Sequence, residues 1–78
     1  MWKEENNKLV REFIFKNFIQ AFAFMTEVAR VVDEMDHHPE WSNVYNKVTI
    51  SLTTHEYGGI SVRDINWAKA VSAFSGAQ

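Results

Sequence analysis

Between residues 18 and 35 the apolar side chains Phe18, Ala21, Phe22, Met25, Val28, Ala29, Val32 and Met35 return every three or four positions, the step that lines one face of an α-helix. The spacing predicts a helix over 18–35. Asn17 stands where a helix start needs a side-chain acceptor for its free N–H groups, and Gln20 three residues on completes a capping box. Phe24 and Val31 lie seven apart on a different strip. The helix therefore carries a second apolar patch that one small sheet would leave uncovered, and this predicts an oligomer contact through the helix.

After Pro39 the period drops to two. Val48, Ile50 and Leu52 alternate with Lys47, Thr49, Ser51 and Thr53, the signature of a strand with one buried and one polar face. Residues 41–45 supply a partner strand, joined through a turn at Asn46-Lys47, a pair that lacks the glycine such turns favour. Upstream, Leu9, Val10, Phe13, Ile14 and Phe15 are mixed with charges behind Asn6-Asn7, so residues 2–15 read as two short strands around a turn. Gly58-Gly59 breaks the chain, Ser61 and Asp64 have capping-box spacing, and a second helix is predicted over 62–74. The order strand, strand, helix, strand, strand, helix predicts an α+β fold: a four-stranded antiparallel sheet with two helices packed on one face.

The 78 residues make one domain, 1–78, near the lower size at which a single core suffices. With no cysteine to staple it, stability must come from packing or self-association, and a homo-dimer or homo-tetramer through the long helix is expected. A composition that is 46% hydrophobic and 14% aromatic is that of a packed domain. The net charge of −2, with basic and acidic residues interspersed, gives no general attraction to nucleic acid or anionic lipid. There is no apolar run behind a basic start and none long enough to span a membrane, so a cytoplasmic protein is expected.

All three histidines fall in two segments, Asp36-His37-His38-Pro39-Glu40-Trp41 and Thr53-Thr54-His55-Glu56. Histidine titrates nearest neutrality, so three of them suit proton transfer in both directions. Adjacent side chains diverge, so His37 and His38 should do different jobs, on a segment that Pro39 stiffens. The plain alternative is that the pair ends a helix as surface loop residues. A metal shell of imidazoles with Asp36 or Glu56 is disfavoured, because adjacent histidines lack one-turn separation and no His-Glu-x-x-His motif is present. Asp33, one turn before His37, and Glu56, beside His55, are candidates to orient an imidazole. Asp64 has a sufficient structural reason as a cap. Trp41 could wall a pocket for a flat heterocycle or be core, and Tyr45 reads as core. Without a glycine-rich phosphate loop or a cysteine nucleophile, phosphoryl transfer and covalent acyl chemistry drop out.

Asp33, His37-His38-Pro39, Tyr45, His55 and Asp64, at their fixed gaps, resemble the signature of the pterin-4a-carbinolamine dehydratases. The similarity extends from Phe13 through Ala21-Phe22-Ala23-Phe24-Met25 to Asp64-Ile65-Asn66. Many members carry a further N-terminal helix ahead of the first strand, and this sequence starts at about the position of that strand. The resemblance implies dehydration of a 4a-hydroxytetrahydropterin to quinonoid dihydropterin, without a cofactor, in tetrahydropterin recycling. It implies acid and base roles for His37 and His55, positioning by His38, pterin binding by Asp36, Thr53, Thr54 and Glu56, and orienting roles for Asp33 and Asp64. Some vertebrate members also serve as a dimerisation cofactor of a homeodomain transcription factor, which implies a second, protein-binding role through the long helix.

Overall fold

In the computed structural model, which describes residues 2–54 and 58–73, six elements follow in the predicted order. They are β1 (Lys3–Glu5), β2 (Lys8–Ile14), α1 (Phe18–Met35), β3 (Glu40–Val44), β4 (Lys47–Leu52) and α2 (Val62–Ser72). The strands form one antiparallel sheet in the order β1-β2-β4-β3. At the first hairpin Glu5 pairs with Lys8, and Asn6 and Asn7 between them adopt φ of 51° and 63°. Asparagine is among the few residues that enter this left-handed region cheaply, and two such residues in sequence match the right-handed twist of a hairpin.

Pleating sorts the sheet into two faces. Phe13 pairs with Val48, Arg11 with Ile50 and Leu9 with Leu52, so these six side chains share one face. Phe13, Val48, Ile50 and Leu52 are fully buried there beneath Ala21, Phe24, Val28 and Val31 of α1 and Trp67, Ala68 and Val71 of α2. Each large side chain so buried stabilises the fold by about 1.5–3 kcal/mol. The opposite face carries Lys8, Glu12, Lys47 and Thr49, with ion pairs from Lys8 to Glu40 and from Lys47 to Glu12. Arg11 is the charged exception on the inner face: its guanidinium lies 4.3 Å from the Phe13 ring centre and donates to Ser72 Oγ on α2. Trp2 Nε1 donates to the same hydroxyl at 2.9 Å, so both helix and hairpin are tied at one point.

The buried side of α1 differs from the predicted stripe. Phe24 and Val31, expected to face outward, are core residues, whereas Phe18 and Phe22 are 45% and 56% exposed. Apolar residues cover more than half of this helix's circumference, so periodicity alone does not choose the inward strip. The rings of Phe13 and Phe15 choose it by meeting Phe24 at 4.8 and 4.9 Å. The outward patch is instead Phe18, Ile19 and Phe22, the two rings 5.7 Å apart.

Asn17 Oδ1 accepts from Gln20 N at 2.9 Å, as expected of the cap, while Gln20 Oε1 accepts from Lys16 N. The β3–β4 turn is Tyr45-Asn46 rather than Asn46-Lys47, because Val44 pairs with Lys47. Tyr45 is not core: it sits at the tip with φ 50° and is largely exposed. Asn43 Nδ2, donating to the Tyr45 and Lys47 carbonyls, and Asn46, bonded through backbone and side chain to Phe15, hold that turn without a glycine. The second helix begins as predicted, and its expected last residue, Phe74, lies outside the described residues. No helix among the described residues is long and apolar enough to cross a membrane.

Candidate active site

Three chain segments converge at one end of the molecule. The first begins where Asp36 takes the left-handed conformation, φ 49° and ψ 45°, ending α1 while its N–H donates to the Val32 carbonyl. An αL residue at a helix end turns the following chain back across the last turn, and Pro39 then prevents helix from resuming. Arg63 Nη2 donates to the Asp36 carbonyl at 3.0 Å, tying this reversal to the start of α2. Its product is a buried His37, 6% exposed, next to a His38 whose side chain is 73% exposed. The two histidines therefore diverge.

The second segment leaves β4. Thr54 bridges to Gly59, donating its N–H to the Gly59 carbonyl at 2.9 Å and accepting from Gly58 N at 3.0 Å. Gly58 has φ 80°, a conformation that strains a residue with a Cβ. His55 and Glu56 lie outside the described residues. Thr53 Oγ1 donates to the Asn7 carbonyl, anchoring this segment to the first hairpin.

The third segment is the N-terminus of α2, where Ser61 and Asp64 form the capping box. Asp64 is fully buried. Its Oδ2 accepts from Ser61 N at 2.9 Å and from Thr54 Oγ1 at 2.9 Å, and its Oδ1 lies 2.5 Å from His37 Nε2. Burial pushes the carboxyl pKa up, but the hydrogen bonds from His37, Ser61 N–H and Thr54, together with the charge on His37, outweigh it and hold Asp64 below the ordinary carboxylate value. The positive end of the α2 dipole acts in the same sense. One carboxylate thus caps a helix with one oxygen and grips a histidine with the other, which fixes the orientation of the ring.

The structure brings His37, Thr54 and Asp64 into one hydrogen-bonded cluster, with His38 and Asp36 at its exposed edge, their side chains 3.7 Å apart. That solvated pair contributes little to stability. Asp33 is exposed on α1 and makes no hydrogen bond to His37 among the described residues. Trp41 pairs with Ile50 on the inner face at the β3 edge and is 37% exposed, so it is neither wholly core nor free of it. Ser61 was visible in the sequence only as a cap, because its spacing to Asp64 has the same appearance whether or not the acid also holds a histidine. Among the described residues no group of three histidine, cysteine, aspartate or glutamate side chains is placed to hold a metal ion.

The sequence profile of the family described as pterin 4 alpha carbinolamine dehydratase matches residues 1–74. A protein of Prochlorococcus marinus strain NATL2A, which carries the provisional name pterin-4-alpha-carbinolamine dehydratase, is 51% identical over 90% of this chain and 74% of its own length. A protein of Rhodopseudomonas palustris with the same provisional name is 48% identical over 96% of this chain and 76% of its own. Among solved structures, a transcriptional coactivator/pterin dehydratase from Brucella melitensis superposes with a TM-score of 0.91 at 39% identity, covering 96% of this chain and 82% of that one. A pterin dehydratase-like protein identified as a RuBisCO assembly factor in the alpha-carboxysome superposes with a TM-score of 0.83 at 25% identity, covering 99% and 92%. By its sequence and its fold, the chain belongs to the pterin-4-alpha-carbinolamine dehydratase family.

Proposed function

We propose that this protein dehydrates a 4a-hydroxytetrahydropterin to the quinonoid dihydropterin by histidine general acid–base catalysis, as a hydro-lyase of tetrahydropterin recycling in the cytoplasm. The observation that carries the reading is the buried His37–Asp64 pair, to which Thr54 also bonds and which the exposed Asp36 and His38 flank in the chain. The N5–H bond of the substrate breaks and its electrons form the N5–C4a double bond. The C4a–O bond breaks with its electrons on oxygen, which takes a proton and leaves as water. One base and one acid near neutrality suffice, and positioned groups of this kind contribute on the order of 10²–10⁴ in rate. His37 and His55 take these two roles and His38, exposed at the rim, positions the pterin. Asp36, Thr53 and Glu56 offer polar groups to its amide and amino edge. Absorbance-monitored dehydration of 4a-hydroxytetrahydrobiopterin with and without a chelator tests the reading: acceleration over the spontaneous reaction that the chelator leaves untouched supports it, and absence of acceleration contradicts it.

A second reading, a protein-binding role, is favoured by the exposed Phe18, Ile19 and Phe22 on α1, an apolar strip on the face turned away from the core. The strip supports self-association into a homo-dimer or homo-tetramer through the long helix, and the same surface would serve a transcription factor as dimerisation cofactor. Neither role uses the histidines, so substitutions on the strip and at His37 separate them.

A further inference from the structure

We propose that His37 exchanges its proton with substrate through Nδ1, because Asp64 keeps a proton on Nε2, and that Thr54 and Ser61 act as positioning residues that lock the carboxylate in place. The inference rests on the dehydratase reading and specifies which atom of that site works. A neutral imidazole has one N–H and one acceptor nitrogen, and an ionised carboxylate only accepts. With Nε2 2.5 Å from Asp64 Oδ1, Nε2 is the donor and Nδ1 the acceptor. The contact between Nε2 and Oδ1 is shielded from solvent, the two side chains being 7% and 0% exposed. Nδ1 makes no hydrogen bond among the described residues.

The same accounting orders the hydroxyls. Asp64 Oδ2 accepts, so Thr54 Oγ1, 2.9 Å away, spends its one proton there. Thr54 Oγ1 then accepts from Ser61 Oγ at 2.7 Å, and Ser61 N–H donates to Oδ2 at 2.9 Å. Thr54 has no donor left for a pterin, and it acts on the reaction through Asp64 rather than by touching substrate. The carboxylate is held from two chain segments, so its Oδ1 cannot swing away from His37. In the forward reaction Nδ1 takes the N5 proton, giving an imidazolium whose second N–H already rests on Asp64, while His55 protonates the departing hydroxyl. The imidazolium afterwards returns its Nδ1 proton to solvent.

Long-range proton–nitrogen correlation spectra of the full chain labelled with ¹⁵N-histidine read the tautomer directly, with the His37 signals assigned by their loss in His37→Gln. The expected result in the neutral state is a protonated Nε2 and a bare Nδ1. Thr54→Val should mix the tautomers and lower kcat roughly tenfold, a fraction of what a positioned base contributes, with KM little changed. Thr54→Ser should restore both. A wild-type His37 carrying its proton on Nδ1 would overturn the proposal, as would a folded Thr54→Val with unchanged tautomer and kcat. The tautomer is read on wild-type protein, so a Thr54→Val that fails to fold leaves the test standing. Wild type with the Nε2–H tautomer and no dehydration upholds the locked pair and overturns the dehydratase reading instead.

Discussion

His37 Nε2 stands 2.5 Å from Asp64 Oδ1 although 27 residues separate the two in sequence. This contact joins the segment that follows α1 to the first turn of α2, and a hydrogen bond to a buried charged group contributes about 1.5–3 kcal/mol. Fold and site therefore share a residue. Removing the acid leaves His37, Thr54 and Ser61 N–H facing a group that no longer matches them.

The stability of the protein should carry this acid's signature. Asp64 is depressed in the folded state, so the stability it contributes is full above the unfolded carboxylate range and is lost as pH falls through the folded value. Chemical denaturation from neutral to strongly acid pH should show a level region and then a decline. In Asp64→Asn the part of that decline due to this group should vanish, with stability at neutral pH lowered by about 3 kcal/mol because the buried network is broken. An Asp64→Asn protein with the wild-type acid profile would contradict the assignment.

Phe24→Ala and Phe22→Ala should part company in stability. Phe24 meets Phe13 and Phe15 in the core, so its truncation should cost about 3–5 kcal/mol in urea denaturation. Phe22 is exposed in the single chain, and its truncation should cost well under about 1 kcal/mol at protein concentrations where the chain is monomeric. Equal costs would mean that the inward strip of α1 is wrongly drawn.

Charge on the outward strip should act on assembly alone. Ile19 is 77% exposed beside Phe18 and Phe22, so Ile19→Glu combined with Phe22→Glu should reduce the mass seen by light scattering to that of one chain while the dehydration rate per folded subunit stays measurable. A wild type already monomeric at micromolar concentration removes the argument for self-association through this strip.

Asn17→Ala should lower stability by about 1 kcal/mol, the usual cost of losing a side-chain N-cap, since Gln20 N would lose its acceptor. A thermal melt checks it, and no shift would mean that Gln20 and Lys16 already satisfy the helix start.

The element order, the Asn6-Asn7 turn, the α1 bounds and the alternation of β4 were all legible because each is set by local chemistry: asparagine's tolerance of positive φ, and apolar periods of 3.6 and 2. Two features were not. The inward strip of α1 is decided by Phe13 and Phe15 from another element, which periodicity in the helix does not encode. Tyr45 read as core because it is a large aromatic between strand residues, yet register places it at the turn, where asparagine side chains from either side hold the backbone. At the site, the histidine pair was readable as divergent, since neighbouring side chains must part. The choice of Asp64 over Asp33 as the acid that holds His37 was not, because Asp33 is near in sequence and Asp64 is near only through the packing of α1 against α2. The capping-box spacing of Ser61 and Asp64 masked the second use of the carboxylate.

The most direct measurement is stopped-flow absorbance of 4a-hydroxytetrahydropterin dehydration by wild type and by His37→Ala, paired with thermal melts of both. The account predicts acceleration by wild type and a loss on the order of 10²-fold or more in His37→Ala, in a protein that still unfolds cooperatively. An active His37→Ala, or a wild type no faster than the spontaneous reaction, would contradict it.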